Sequence, residues 1–304
     1  MRHVFLIIAH NNWSQLKKLI RLLDAENHDI YIHIDKKSED FNEKEFLNIT
    51  GKSKLFVFQE YEVFWGGFSQ FQVETFLFEK AHVLKYDYYH LISGVDLPLK
   101  NNKEIDAFFE QHKGMEFILY DDDKLKNDPE ITRRAKYYHF LQNYRRRYTK
   151  KWKNEFFTFL ERVSLVAQIM FRVNRVKNLD WTIKYGSQWV SITDDLVTEI
   201  LKQKNKIQTV FSCSNCADEL FVQTVAYNCG FKNKIYIPEY GVAENVRFID
   251  WSRGNNGNPY TFRKQDEELL MKNSNLFARK FSETVDSDIV QCIYTKIEKE
   301  NKST

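Results

Sequence analysis

Short apolar runs alternate with amphipathic stretches over the first 120 residues. VFLIIAH (4–10) is a continuous apolar run, the mark of a strand buried on both faces of a parallel sheet. Trp13, Leu16, Leu19, Ile20 and Leu23 then recur at helical spacing. DIYIHID (29–35) alternates as a second strand and ends in Asp35, and KLFVF (54–58) is a third. Ser69 and Gln72 offer a capping box to a helix running to about Leu84. YYHLIS (88–93) reads as a strand and GVDLPL as the turn after it. Asn102 is placed to cap the helix KEIDAFFEQH, and MEFILY (115–120) is the next strand. Strand and helix alternating at this spacing predict an α/β fold. Its central sheet is Rossmann-like and mostly parallel, helices cover both faces, and ligands sit at the carboxyl ends of the strands.

Residues 133–177 break the pattern and read as one or two long helices. Arg133 to Asn154 carries nine Lys/Arg and no acid, interleaved with Tyr, Phe and Trp. Mixed αβ sequence then resumes. SQWVSIT (187–193) is a strand with a helix from Asp194, and DELFVQTVAYN is a helix starting near Asp218. IYI (235–237) and VRFIDW (246–251) are strands, followed by LFARKF (276–281) and a terminal helix. No repeat, low-complexity tract or linker appears, so residues 1–304 are expected to form one domain with 133–177 as a basic, aromatic helical insertion.

Composition narrows the class. A chain of 304 residues with 25 Phe, 16 Tyr and 6 Trp, but only 4 Pro and 10 Gly, can build a large ordered core. The net charge of +3 gives no general affinity for polyanions. Four Cys are too few for a disulfide scaffold, and the Cys213–Cys216 CxxC lacks the second ligand pair of a structural zinc site. No run reaches the ~18 apolar residues of a membrane span, and the N-terminal apolar run is too short for a signal peptide. The expected location is cytoplasmic, peripheral at the inner face of the plasma membrane if the basic stretch 133–154 meets anionic headgroups. No RRM, KH or zinc-finger signature accompanies that charge, so a nucleic-acid partner is not expected.

Polar groups fall at the strand ends where such a sheet places its site. These are His10 and Asn11, Asp35, Trp65-Gly66-Gly67, and Ser93-Gly94-Val95-Asp96. GxGxxG and Walker A patterns are absent. Asp218 and Glu219 open a predicted helix, as dipole-favoured residues or, for Glu219, as a general base. Arg279-Lys280 between aromatics is a surface pair or a clamp on a diphosphate. Asp121, Asp122 and Asp123, after a strand-like run, read as a divalent-metal site or as a solvated turn.

These blocks together resemble one family. IIAHN, IYIHIDKKS, VFWGGFSQFQVE, YDYYHLISGVDLPLK, GSQWVSIT, ADELFVQT, VRFIDW and LFARKF occur in the order of the core-2/I-branching β-1,6-N-acetylglucosaminyltransferase and peptide O-xylosyltransferase family, from about Val4 to Phe281. The resemblance implies a GT-A-like fold and an inverting transfer from a UDP-sugar to a hydroxyl, with no metal or other cofactor required. By resemblance, His10, Asp35, Phe64 and Trp65 bind the nucleotide and Glu219 is the catalytic carboxylate. Arg279 and Lys280, helped by Arg247, hold the diphosphate. Gly67, Ser93, Asp96, Gly186, Ser187, Gln188, Trp189 and Asp218 border the sugars. The strand end that carries Asp-x-Asp in metal-dependent relatives is SGVD here, and the triple Asp comes one strand later, which favours the turn. The membrane anchor and disulfides of animal members are not expected in this chain. That implies a bacterial-type enzyme of surface polysaccharide synthesis acting on a glycan, with a lipid-linked glycan suiting the basic stretch. The alternatives are a metal-dependent transferase using Asp121–Asp123 and a non-catalytic glycan- or membrane-binding module.

Overall fold

The computed structural model describes residues 1–144, 147–255 and 257–303. Its core is a sheet of strands β1 (His3–Ala9), β2 (His28–Ile34), β3 (Leu55–Phe58), β4 (Tyr88–Ser93) and β6 (Ser191–Thr193) in the order β3-β2-β1-β4-β6. The first four are parallel and β6 runs antiparallel to β4. A smaller sheet joins β5 (Leu97–Pro98), β8 (Phe277–Arg279) and β7 (Arg247–Ile249). The expected α/β architecture, a mostly parallel sheet with helices on both faces, is the one the chain adopts.

The pleat explains the apolar runs. Phe5, Ile7 and Ala9 enter one hydrophobic cluster, together with Ile30, Ile32 and Ile34. Helices α1 (Trp13–Leu23), α3 (Asn102–Gln111) and α11 (Ser287–Ser303) cover that face. Val4, Leu6 and Tyr31 point the other way, against α2 (Ser69–His82), α7 (Asp194–Lys202), α8 (Lys204–Phe211) and α9 (Phe221–Asn228). Both faces are dry, so β1 and β2 need no polar alternation.

Several boundaries differ from expectation, each for a visible reason. MEFILY and IYI make only isolated bridges, because Glu116 pairs with Ile235 while the next residue, Phe117, pairs with Ser191 on another segment. SQWVSIT is a strand only from Ser191, and its first residues turn toward the cleft described below. Ser69 does not cap α2; its hydroxyl accepts from the Phe64 N–H at 2.8 Å and closes the preceding turn. The capping box of α3 is built by Asn101 with Glu104, one residue before the expected Asn102. Asp121–Asp123 is not a turn: Asp121 caps the short helix α4 (Asp122–Asn127) by accepting from the Lys124 N–H.

The region 133–177 is not continuously helical. Helix α5 (Pro129–Lys136), with proline at its favoured first position, stops where Tyr137 turns extended, and α6 (Lys151–Met170) starts much later. The His139 ring lies 2.8 Å from the buried Glu161 of α6, and its backbone N–H donates to Cys213 O. These anchors divert the chain across α6. Arg145 and Arg146 of the basic run lie outside the described residues. Helix α10 (Glu267–Met271) leads into β8.

Candidate active site

The carboxyl ends of β1, β2 and β4 open into a cleft of ≈ 1230 Å³. That exceeds the ~300–1,000 Å³ of most small-ligand pockets and leaves room for two substrates. The structure brings His10, Asp35, Trp65, Ser93, Gly186, Ser187, Gln188, Trp189, Asp218, Glu219, Arg247, Arg279 and Lys280 to its wall. Phe64, Gly67 and Asp96, expected there, do not line it. Phe64 turns inward beneath the Lys37 ammonium, 4.3 Å from its ring centre. Gly67 lies so close to Asn143 that a Cβ would meet its side-chain oxygen at 2.6 Å. Asp96 is buried behind Ser93, whose hydroxyl donates to it at 2.7 Å.

At the β1–β2 end, Asp35 accepts from the Lys37 N–H at 3.0 Å, the Val63 N–H at 3.3 Å and the Lys37 ammonium at 2.8 Å. It therefore holds the segment that carries Trp65 as well as facing the cleft. Gly66 has φ +73°, where an L side chain is strained, and the turn it permits presents the half-exposed Trp65 indole. Burial lowers the pKa of His10, with Asp35 opposing.

A second wall is cationic. Arg279 lies 4.2 Å over the Trp189 ring and 3.6 Å from Asp96. Its Nε and one terminal nitrogen have no hydrogen-bond partner among the described residues. Burial lowers the pKa of Arg279 and of its neighbour Lys280. Arg247 is committed elsewhere. It donates to Asn245 O, Leu91 O, Val190 O and the Ser191 hydroxyl, and burial brings its pKa down to about 9. It braces β4 against β6 behind the cationic wall.

The third wall is acidic. The predicted helix at Asp218 begins instead as a 3₁₀ turn, Ala217–Glu219, after Cys216 in the left-handed region, and α9 starts at Phe221. The turn aims both carboxylates at the cleft. Asp218 is buried, accepts from Gln70 Nε2 at 2.9 Å with one oxygen, and has no partner among the described residues for the other. Burial and then the Glu219 charge push its pKa up to about 8. Glu219 accepts from the Arg134 guanidinium; burial raises its pKa and Arg134 opposes. Beneath them Glu74, fully buried and accepting from Gln188 Nε2 at 2.6 Å, is driven well above the usual carboxylate range by desolvation and by Asp218.

Sequence reasoning missed Gln70, Glu74 and Arg134. Gln70 ties two walls, accepting from the Gly66 N–H at 2.5 Å while donating to Asp218. Arg134 was hidden inside a basic run read for its average charge. Asp121 lines the cleft but is paired with Lys124 at 3.2 Å, and Asp122 is paired with Lys184 at 2.5 Å. Their carboxylates face ammonium groups, an arrangement that competes with a divalent cation.

The family described as "Branch: Core-2/I-Branching enzyme" matches residues 4–272. Among curated proteins, xylosyltransferase sqv-6 of Caenorhabditis briggsae is 23% identical over 312 residues, covering 92% of this chain and 34% of that protein. Human xylosyltransferase 1 is 24% identical over 126 residues, 39% of this chain and 13% of that protein. The chain thus spans about a third of the nematode protein's length and less of the human one. The solved mouse xyloside xylosyltransferase 1, apo form, aligns over 91% of this chain and 96% of its own, with 9% identity and a TM-score of 0.40. Staphylococcus aureus TarS 1-349 in complex with UDP aligns over 37% and 33%, with 13% identity and a TM-score of 0.27. Neither structure adds to the description of the fold at those scores. The family match is decisive: the chain belongs to the core-2/I-branching enzyme family.

Proposed function

We propose that this member of the core-2/I-branching enzyme family is a glycosyltransferase. It moves a sugar from a UDP-sugar (GlcNAc, xylose, galactose or glucose) to a glycan hydroxyl by one inverting displacement, with no metal in the transfer step. The acceptor oxygen attacks the anomeric carbon as the bond to the UDP oxygen breaks, and the hydroxyl proton passes to Glu219. UDP leaves with its new charge facing Arg279 and Lys280, fixed cations in a partly dry site. The observation that carries this reading is Arg279. Its Nε and one terminal nitrogen are buried and unsatisfied among the described residues, it is held over Trp189 and adjoins a lysine, and an arginine-paired carboxylate lines the same cleft.

The acceptor in this reading is a glycan on a lipid, approached at the inner face of the plasma membrane during surface polysaccharide synthesis, with residues 133–177 an insertion in one domain. Support comes from α6. Trp152, Phe156, Phe159, Val163, Val166 and Met170 are each at least half exposed and, at 100° per residue, fall within about 80° of one another. Lys150, Lys151 and Lys153 stand at one end of this stripe and Arg172 at the other. The apolar element lies further along the chain than the 133–154 expected. A stripe of this kind suits a helix lying in an anionic interface.

The test is UDP binding by calorimetry with and without Mg²⁺, followed by a UDP-sugar screen with no divalent cation added. Metal-independent UDP binding and turnover are expected. Glu219→Gln should lower kcat by ~10²–10⁴ while leaving UDP affinity intact. UDP binding that requires Mg²⁺ or Mn²⁺ would overturn the metal-free step, and normal turnover by Glu219→Gln would remove the base.

A further inference from the structure

At the other end of the sheet, away from the cleft, three side chains converge. His3 opens β1, His28 opens β2 opposite it, and Asp106 comes from α3. Both histidines are fully buried, whereas the Asp106 side chain is 30% exposed. The hydrogen bonds dictate where the protons sit. His28 Nδ1 is 2.9 Å from Leu23 O, and a carbonyl only accepts, so that nitrogen carries its hydrogen. In a neutral ring Nε2 then presents a lone pair. It presents it to Asp106 Oδ1 at 2.8 Å, an atom that also offers only lone pairs when ionised. Something positive must lie between them.

A proton would satisfy that pair alone. His3 makes a second demand. Its Nε2 is buried, has no hydrogen-bond partner among the described residues, and lies 3.4 Å from the same Oδ1. Its Nδ1 is 2.9 Å from His90 Nε2, and His90 Nδ1 is 2.8 Å from the Ser191 hydroxyl. With the hydrogens running toward Ser191, His3 Nε2 is a second free lone pair aimed at the same point. The other Asp106 oxygen is already held by Asn27 Nδ2 at 2.9 Å, which turns Oδ1 to the rings. The three donor atoms lie within 4.8 Å of one another. Ligands ~2.0–2.1 Å from a tetrahedral ion stand ~3.3 Å apart; the His3 separation of 3.4 Å matches this, and the His28 separation of 2.8 Å has to widen as the ion enters.

We propose that His3, His28 and Asp106 bind one divalent transition-metal ion of the zinc class, with water as a fourth ligand on the side where Asp106 is exposed. Two imidazoles and one carboxylate suit zinc rather than magnesium. His28 directs its remaining N–H to Leu23 O, and with the hydrogens running toward Ser191 His3 directs its own to His90, the outer arrangement that fixes ligand histidines. The ion would tie β1, β2 and α3 together. It takes no part in sugar transfer, because it sits at the amino ends of the strands, though the His90–Ser191 path continues to Arg247.

The experiment uses the full chain, stripped with chelator and then titrated with Zn²⁺ and, separately, Co²⁺. One equivalent of Zn²⁺ per chain is expected, with a rise in Tm of several degrees. Co²⁺ should give visible d–d bands without sulfur charge-transfer absorption. Asp106→Asn and His3→Gln, each checked for folding by circular dichroism, should lose the bands and weaken Zn²⁺ binding at least tenfold. Substoichiometric zinc, bands unchanged in Asp106→Asn, or thiolate bands assigning the ion to Cys213 and Cys216 would each overturn the site. So would an NMR signature of a protonated His28 Nε2 persisting at saturating Zn²⁺, since a proton would then occupy the position. UDP binding by these variants without added metal keeps this test separate from that of the transferase reading.

Discussion

Arg134→Gln should move the acid limb of the kcat/KM profile to higher pH. The Arg134 and Glu219 side chains are 12% and 27% exposed, so their interaction is only partly screened by water. Two unit charges ~4 Å apart at an effective dielectric of ~20 attract by about 4 kcal/mol, an upper bound for a pair that still touches solvent. A carboxylate beside an arginine is usually depressed by ~1–3 pKa units, and the exposure of Glu219 favours the lower part of that range. Burial already raises the Glu219 pKa and Arg134 opposes the rise, so removing the cation must shift it further upward. Each pKa unit of upward movement is a ~10-fold loss of kcat/KM at fixed pH on the limb, so a loss of about tenfold or more is expected there, with a smaller change on the alkaline plateau. The assay is initial-rate kinetics across pH on wild type, Arg134→Gln and Arg134→Lys, with lysine recovering much of the shift. Asp218 also feels Arg134, so the series is repeated in Asp218→Asn to isolate one titration. An unmoved acid limb in Arg134→Gln, or an intact limb in Glu219→Gln, would show that the ionisation of Glu219 does not govern the rate.

Other perturbations test the surroundings. Asp218 has a folded pKa of about 8 against an ordinary 3.8, so its protonated form stabilises the fold fully below pH ~4, and that contribution is lost as pH rises through 8. Asp218→Asn, which mimics the protonated acid, should therefore raise Tm at pH 8.5 by at least ~2–4 °C more than at pH 5; equal shifts at both pH values in thermal melts would contradict the assignment. Gly186→Ala would drive a Cβ to 1.7 Å from Leu119 O, so the 185–189 segment must move. A loss of ~1–3 kcal/mol or more in denaturant unfolding is expected, and wild-type stability would mean that the segment has slack. Phe156→Ser with Phe159→Ser should cut partitioning onto anionic vesicles about tenfold without changing turnover on a soluble acceptor; unchanged flotation would end the role given to α6.

How far the sequence revealed the molecule depends on what each residue's conformation rests upon. Strands β1 and β4 are buried on both faces, so composition alone marks them; β2 is buried on both faces too, although its sequence alternates. Residues 115–120 and 235–237 have similar composition, yet each segment divides its bonds between different neighbours, and a run of apolar residues does not encode that division. The site followed the same logic. His10, Asp35 and Ser93 sit at or just past the ends of legible strands, and parallel topology dictates where strand ends point. Phe64, Trp65 and Gly67 belong to a turn, where the φ of Gly66 decides which side chain meets the cleft and only Trp65 does.

Arg134 was obscured for a further reason. A run with nine basic residues invites one explanation for the whole run, whereas α5 hands one guanidinium to Glu219. That contact bears on which of two adjacent carboxylates can act as a base. Asp218 and Glu219 share a turn, and burial raises both. Asp218 has one oxygen held by Gln70 and the other without a partner among the described residues, so burial favours its protonated form. Glu219 has the direct bond to Arg134, which favours its ionised form. Like charges on neighbouring residues repel in a largely buried wall, and the arginine favours the charge on Glu219. Neutral Asp218 in turn spares Glu219 a repulsion that would weaken its hold on its charge. The assignment of Glu219 as base thus rests on an arginine that no local motif announces, and Arg134→Gln is the substitution that exposes it.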